Sequence, residues 1–343
     1  MLFGPRPGRQ VRRAEAVSPT RRGLLALGCA CCLGLAPISQ AAAQSPEVAR
    51  HLAAARDAAG EDLRAWLALG KAAMPSPEAG PSIEALMAQP PPPPAWAFDN
   101  LGFVGAKWVS AWALKTSDGV ILLDALNNED EAERLIEGGM RRLGLDPGAI
   151  RQIVVTHGHG DHYGGAAWLK QRHGAPILLS EADWRMMETG LEFDVPQWGR
   201  PPARDVVVAD GATIRQGDTT VRVLSTPGHS PGTISLLFDA KAGPRTHRAL
   251  LWGGTSFNFG RRPERMQRIA SYIAGTRRAK QVAAREKVEV LLSNHSGFDE
   301  ADQKLQRRVQ GRPNPFVMGQ ETVQRALTVI EECALATQAA WSA

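Results

Sequence analysis

The sequence predicts an α/β fold, and three observations support that prediction. Short runs rich in β-branched and aliphatic residues, such as residues 120–123 and 153–155, have the length and composition of buried strands. Longer stretches, such as residues 129–143 and 262–287, separate these runs and have the periodicity of helices. Polar clusters that contain most of the histidines follow the predicted strands. We therefore expect the functional side chains at the strand ends, along one edge of the molecule.

The first 43 residues are predicted to be an export signal. Arg21 and Arg22 precede an apolar stretch, residues 23–38, and small residues follow it at positions 39–43. This is the pattern of a twin-arginine signal with a cleavage site. The apolar stretch is shorter than the roughly 20 residues that a membrane-spanning helix needs. We therefore expect export without a permanent membrane span.

The predicted signal implies a periplasmic or secreted protein, cleaved near Ala43. Cys29 leaves an alternative open, in which the exported protein is lipidated at this cysteine. Leu27 and the short apolar run before it fit that alternative poorly.

Removal of the signal changes how the composition is interpreted. The whole chain has a net charge of +5, and residues 1–43 contain six arginines and a single acidic residue. The remaining chain is formally neutral, which gives no reason to expect a nucleic acid as partner. Three of the four cysteines also lie in the signal, so Cys333 has no intramolecular disulfide partner. About 300 residues can form one large core without disulfides, and we expect a monomer that acts on a small molecule.

Residues 44–95 are predicted to form a helical extension that ends in a proline-rich spacer at residues 90–94. The main domain is expected to occupy residues 96–343. It begins with strands near Phe98 and a hairpin over residues 108–124, whose turn is Ser-Asp-Gly.

A predicted metal site follows the strand at residues 153–155. His157 and His159 share a face of extended chain, while Asp161 and His162 come where the chain turns. Imidazole with one carboxylate, and no nearby thiolate, is a ligand set that suits zinc. A polar loop with incidental histidines is the alternative interpretation of this stretch.

The pattern His157-x-His159-x-Asp161-His162 resembles the signature of the metallo-β-lactamase superfamily. The resemblance extends from about Phe98 to the C-terminus and implies a four-layer αββα sandwich. It is less specific for the substrate, because the superfamily includes β-lactamases, glyoxalase II-type thioesterases, lactonases, sulfatases and nucleases.

The same resemblance implies the remaining metal ligands. Residues 226–232 resemble the family's T-P-G-H-x-x-G segment, and the buried strand at residues 288–292 leads into Ser-Asn-His. Two Zn²⁺ ions per chain are implied, the first held by His157, His159 and His229, the second by Asp161, His162 and His295. Asp124, at the end of the preceding strand, is expected to support the metal loop, although a strand-end aspartate is as often a turn or helix cap. His51 and His247 lie in no motif, and we expect them at the surface.

One departure from the family pattern points to a subclass. Many members carry a bridging aspartate in a Gly-Asp-Thr segment, where this chain has Gly253, Gly254 and Thr255. That departure resembles subclass B3 β-lactamases, whereas the cysteine of subclass B1 is absent here. Thr255, Ser256 and Asn258 are candidates for binding a substrate carboxylate or a metal-bound water, and equally for plain turn residues.

The resemblance and the metal chemistry imply a zinc-dependent hydrolase in which a metal-bound hydroxide attacks the β-lactam carbonyl. Asp161 is expected to be catalytic as well as a ligand, since it is placed to orient the nucleophile. A hydrolase of another ester, lactone or thioester with the same fold is the alternative. A zinc-binding protein without catalysis is disfavoured because all six ligand positions are filled.

Overall fold

The computed structural model describes residues 45–74, 81–257 and 263–342. The predicted export signal, with Cys29, and the candidate Asn258 lie outside these residues. Within the described part of the chain, no helix combines the length and the apolar character needed to cross a bilayer.

The larger sheet has seven strands in sequential order among the described residues. The first four are antiparallel neighbours, and the last three join them in parallel. In chain order these strands are β1 (Ala95–Phe98), β2 (Leu101–Phe103), β3 (Trp112–Thr116), β4 (Gly119–Leu123), β5 (Ile150–Val154), β6 (Ile177–Ser180) and β7 (Val206–Val208).

The second sheet of the described chain has five strands in the order β12-β11-β10-β9-β8. Its strands are antiparallel except for the parallel pair β11 and β12. They are β8 (Thr213–Gln216), β9 (Thr219–Ser225), β10 (Ile234–Ala242), β11 (Arg245–Trp252) and β12 (Val290–Ser293).

Helices occupy the chain before, between and after the strands. The α-helices of the described residues are α1 (Pro46–Ala59), α2 (Ile83–Met87), α3 (Glu129–Glu131), α4 (Gly138–Arg142), α5 (Gly160–Tyr163), α6 (Ala166–His173), α7 (Glu181–Thr189), α8 (Arg265–Arg285), α9 (Ser296–Asp299), α10 (Ala301–Arg307) and α11 (Gln320–Ser342). A π-helical segment (Ala132–Glu137) joins α3 to α4, and 3₁₀ helices cover Arg64–Ala73 and Pro147–Ala149.

Three large apolar cores separate four layers in the described part of the chain. The central core lies between the two sheets and includes Trp112 and Phe238. A second core packs α6 and α7 against the outer face of the larger sheet. The third packs α1, α8 and α11 against the outer face of the smaller sheet. Each sheet is thus covered on one face by helices and on the other by its partner, which confirms the predicted αββα sandwich.

The segment that precedes β1 packs on the C-terminal helix. Helix α1 begins at Pro46, with the Ser45 hydroxyl as its N-terminal cap, and it lies along α11. The prediction that His51 lies at the surface is wrong. His51 is 7% exposed, and its Nδ1 lies 2.6 Å from a carboxylate oxygen of Glu332 on α11. The sequence gave no sign of this contact because it depends on the packing of two distant helices.

Candidate functional site

A tightly packed loop carries the first four candidate ligands. Strand β5 ends at Val154, and the loop runs past His157 and His159 into the short helix α5. Two glycines allow this path: a Cβ atom on Gly158 would lie 2.7 Å from Met186, and one on Gly160 would lie 2.5 Å from the Trp198 ring. The loop therefore lies closely under the segment that contains Trp198.

Three histidines converge to form the first cluster. His229, in the turn between β9 and β10, places its Nε2 3.0 Å from Nε2 of His157 and 3.2 Å from Nδ1 of His159. Two nitrogens on a tetrahedral zinc, each at about 2.0–2.1 Å, are roughly 3.3 Å apart. The spacing of these donors therefore fits one metal ion.

A second cluster lies beside the first. The Oδ2 atom of Asp161 is 3.4 Å from Nε2 of His162 and 3.6 Å from Nε2 of His295, and the two imidazole nitrogens are 3.3 Å apart. Donor atoms of His157, Asp161 and His162 also lie within 4.8 Å of one another. The two clusters are consequently adjacent, and donor atoms of His157 lie close to both of them.

The outward-facing nitrogen of each of these histidines meets an oxygen. The pairs are His157 Nδ1 with Gly253 O (2.8 Å), His159 Nε2 with Glu192 Oε2 (2.8 Å), His162 Nδ1 with Asp124 Oδ2 (2.9 Å), His229 Nδ1 with Ser256 O (2.7 Å) and His295 Nδ1 with Trp108 O (3.0 Å). An acceptor at this position selects the tautomer whose other nitrogen carries a lone pair. All five rings are therefore oriented to donate to a cation held by the two clusters.

The electrostatics of the site set the protonation states of its imidazoles. Burial, reinforced by the neighbouring imidazoles, lowers the pKa of His157 and of His229 well below the usual imidazole range, so both rings are neutral donors. Burial opposes protonation of His162 as well, but Asp161 and Asp124 outweigh it and raise the pKa of that ring to about 10. A bound cation would replace this proton.

Asp124 lies directly beneath the metal loop. It directly follows β4 with a left-handed backbone (φ 62°), and its carboxylate accepts hydrogen bonds from the backbone N–H of Thr156 at 2.7 Å and the hydroxyl of Thr156 at 2.9 Å. The same carboxylate accepts from His162. It thus connects the end of β4 to the loop after β5, as expected for a residue that supports the ligands.

The three candidate substrate-binding residues differ in their surroundings. Thr255 is fully buried, and its hydroxyl is hydrogen-bonded to Ser293 and Asn294 at 2.8 and 2.9 Å. These hydrogen bonds connect the segment after β11 to the end of β12. Ser256 is partly exposed and contributes its carbonyl oxygen to His229. Asn258 lies outside the described residues.

A Gly-x-Ser-x-Gly pattern, Gly228–Gly232, spans His229 but is not a nucleophile elbow. An elbow joins a strand to a helix and exposes its serine. Here the turn joins β9 to β10, and Ser230 is fully buried with its Oγ 2.5 Å from a carboxylate oxygen of Asp183.

Sequence reasoning missed three charged residues around the site. Asp183 accepts hydrogen bonds from the backbone N–H groups of Gly158 and Gly232, which belong to the two ligand-bearing loops. Glu192 contacts His159, and Arg268 contacts Glu192. None of the three has a motif around it. The only signal in the sequence is that Glu192 lies in residues 190–202, a stretch with glycines and prolines of the kind that often carries binding residues.

Comparison with known proteins agrees with this architecture. Residues 105–241 match the family model of the metallo-β-lactamase superfamily. BJP-1, a subclass B3 metallo-β-lactamase of Bradyrhizobium japonicum, is 28% identical with a TM-score of 0.61, covering 71% of this chain and 93% of its own. The native FEZ-1 metallo-β-lactamase from Legionella gormanii, 21% identical, matches in fold with a TM-score of 0.60 over 70% of this chain and 93% of its own.

Curated relatives match a shorter part of the chain, and they are named hydroxyacylglutathione hydrolases rather than β-lactamases. Hydroxyacylglutathione hydrolases of two Rhodopseudomonas palustris strains, BisA53 and ATCC BAA-98 / CGA009, are 32% and 34% identical over 111 and 119 residues. Each match covers 32% of this chain and 36% of the relative, so the chain spans about a third of the length of these relatives. The resemblance to the superfamily is confirmed, and its members are metallo-hydrolases of differing substrates.

Proposed function

We propose that this chain, whose residues 105–241 match the family model of the metallo-β-lactamase superfamily, is a dizinc hydrolase that opens β-lactam rings in the manner of subclass B3. The first zinc would be held by the three-histidine cluster and the second by Asp161, His162 and His295. Neutral imidazoles with one carboxylate are the donors that zinc prefers, and their spacing supports this assignment.

When bound, zinc supplies a hydroxide nucleophile near neutral pH and polarises the carbonyl to be attacked. The protein's own contribution centres on Asp161. Burial would raise the pKa of this carboxyl group, but His162 beside it holds the pKa below the usual range. An ionised carboxylate at the junction of the two clusters can accept a hydrogen bond from the attacking water and orient it. The acceptors behind the histidines keep the ligands fixed during the reaction.

The proposed assignment to subclass B3 depends on the pair of glycines after β11. A Cβ atom on Gly253 would collide with the carbonyl oxygen of Ile234, and one on Gly254 would lie 2.6 Å from Cβ of His229. A bridging aspartate is therefore incompatible with the backbone here, and the second zinc would have three protein ligands. This supports the B3-like proposal over the glyoxalase II-like pattern with its bridging carboxylate.

Thioester hydrolysis is the second candidate, because the curated relatives are named hydroxyacylglutathione hydrolases. The shared part of those relatives is about a third of their length, which makes their substrate a weaker guide. Esters and lactones open by the same attack on a carbonyl, and they belong in the same comparison.

The test is hydrolysis of a chromogenic cephalosporin and a carbapenem by the purified protein, with a lactone and a glutathione thioester measured in parallel. Each assay is run before and after treatment with a chelator, and again after zinc is restored. Lactam opening that disappears with the chelator and returns with zinc is the expected result. Activity on the lactone or thioester alone would overturn the β-lactamase assignment while leaving the dizinc hydrolase intact.

A further inference from the structure

A single buried arginine contacts the turn that carries one ligand of the three-histidine cluster. Arg268 projects from α8, and its Nε donates to the carbonyl oxygen of Gly228 at 2.6 Å. Its Nη2 donates to the carbonyl oxygen of His229, so the guanidinium binds the turn that carries this ligand at two successive carbonyl groups. The side chain is 9% exposed, which leaves little room for water to replace these contacts.

The same guanidinium reaches a second ligand through a carboxylate. Arg268 donates to both oxygens of Glu192, from Nη1 to Oε1 and from Nη2 to Oε2, the latter at 3.3 Å. The Oε2 atom of Glu192 lies 2.8 Å from Nε2 of His159. Glu192 is 5% exposed, and it is the partner that selects the tautomer of His159 with a lone pair on Nδ1.

Two ligands on separate loops are thus joined through one ion pair. His159 follows β5 in the larger sheet, His229 follows β9 in the smaller sheet, and α8 supplies the arginine. From this geometry we propose that Arg268 and Glu192 are positioning residues, which hold His159 and His229 at zinc-binding spacing before the metal arrives.

The chemistry of a buried ion pair supports a positioning role. Burying both charges is costly, and apolar residues of similar size often stabilise a fold equally well. An apolar pair could not accept a hydrogen bond from His159 or donate to the carbonyl oxygen of His229. Outer partners of zinc-bound histidines commonly change metal affinity by about 10–100-fold when they are removed. The inference rests on the proposed function only in that the three-histidine cluster binds zinc.

The test is a zinc titration of the metal-free protein against a chromogenic chelator. A His295→Ala parent disables the second cluster, so that the titration measures the three-histidine cluster alone. Glu192→Ala in this parent should weaken zinc binding by about 10–100-fold. Glu192→Gln keeps an oxygen acceptor for His159 and should fall between Glu192→Ala and the parent. The visible spectrum of bound Co²⁺ should change in the same order, since it reports ligand geometry.

Glu331→Gln is the matched control. Glu331 on α11 pairs with Arg277 at 2.7 Å and with Lys280 at 2.9 Å, and both partners lie on α8, the helix of Arg268. Neither of these contacts of Glu331 involves a candidate ligand. The zinc affinity of Glu331→Gln should equal that of the parent. Circular dichroism establishes folding first, and Glu192→Gln carries the test if Glu192→Ala does not fold.

The zinc titration distinguishes a failure of the positioning role from a failure of the dizinc proposal. Equal zinc affinity and equal Co²⁺ spectra in the parent and both Glu192 variants would overturn the positioning role while leaving the dizinc proposal standing. A parent that binds no zinc would overturn both.

Discussion

Asp161 is proposed to combine two roles at one carboxylate. As a candidate ligand it lies between His162 and His295, and as an ionised group it can orient the attacking water. Asp161→Asn should therefore lower kcat for lactam hydrolysis by about 100-fold or more even when zinc is saturating. Steady-state kinetics at increasing zinc concentration measure this effect.

Asp218→Asn, at an exposed carboxylate paired with Lys241, is the control and should behave as the wild type. If added zinc fully restored kcat in Asp161→Asn, Asp161 would act only as a metal ligand and would not orient the water.

Asp183 is expected to stabilise the site without touching a metal. Its carboxylate accepts from Gly158 N at 2.8 Å, Gly232 N at 2.6 Å and the Ser230 hydroxyl at 2.5 Å. Burial raises its pKa even though these donors oppose the shift. Asp183→Ala leaves three buried donors without an acceptor, each costing about 1–3 kcal/mol. We expect a loss of several kcal/mol in the free energy of unfolding, measured with denaturant.

The control for Asp183 is Asp146→Ala. Asp146 is exposed, and its carboxylate accepts from Gly148 N at the start of a 3₁₀ turn, a contact worth about 0.5–2 kcal/mol. If both alanine variants lost the same small stability, the connection between the two ligand-bearing loops through Asp183 would carry no special weight.

The site residues that the sequence predicted lie close together along the chain, whereas those that it did not predict lie far apart. His157, His159, Asp161 and His162 are four positions of one short motif, and the geometry of extended chain predicts that they share a site. Arg268 and Glu192 are 76 residues apart and meet only after α8 packs against the loop that follows α7. No local pattern marks such a pair, because neither residue has a special position within its own element.

Among the secondary-structure elements, those with a clear period were predicted most accurately. The strands over residues 120–123 and 153–154 and the long helix within residues 262–287 appear where the sequence placed them. The stretch over residues 129–143 is helical, but Ala132–Glu137 within it is π-helical, which the spacing of apolar residues does not reveal. The helical prediction over residues 63–73 was correct in kind, yet this segment is a 3₁₀ helix against α11.

The connection between β12 and α10 should make stability depend on pH. Asp299 ends α9, is 2% exposed and accepts from the backbone N–H groups of Ser293 and Ala301 at 2.8 and 3.1 Å. Burial raises the pKa of Asp299 to about 7, although nearby Lys304 opposes the shift. The unfolded chain titrates near 3.9, so the folded state holds the extra proton between these values. The stabilisation from this group is complete below about pH 4 and is lost as the pH rises to about 7.

Asp299→Asn should remove that dependence, because an amide does not titrate. Within the window the wild type should lose up to about 1.4 kcal/mol per pH unit relative to the variant. Denaturant unfolding of both proteins from pH 4 to pH 8 gives the difference. Parallel pH profiles of the two proteins would show that Asp299 is ionised throughout, and would contradict the burial argument.

At the scale of the whole molecule, charge and cysteine content separate the first 43 residues from the rest. Those residues contain the entire net charge and three of the four cysteines, and the remaining chain is neutral with a buried Cys333. A fold with three apolar cores has no need of disulfides, which is compatible with folding before export. On this basis we propose that the twin-arginine segment directs the folded protein across the membrane.

Replacing the two arginines tests this proposal in the full-length chain. Arg21→Lys with Arg22→Lys keeps the charge but removes the guanidinium pair, and should leave an uncleaved precursor in the cytoplasm. The chain provides its own matched control: Arg12 and Arg13 form a second arginine pair, which lies farther from the apolar stretch. The same double substitution there should leave export unchanged, because an export receptor recognises the pair together with the apolar residues that follow. Cell fractionation and the mass of the exported protein measure both variants. Normal export and cleavage of the variant at positions 21 and 22 would instead assign residues 1–43 to a general secretory signal, in which only positive charge before the apolar stretch matters.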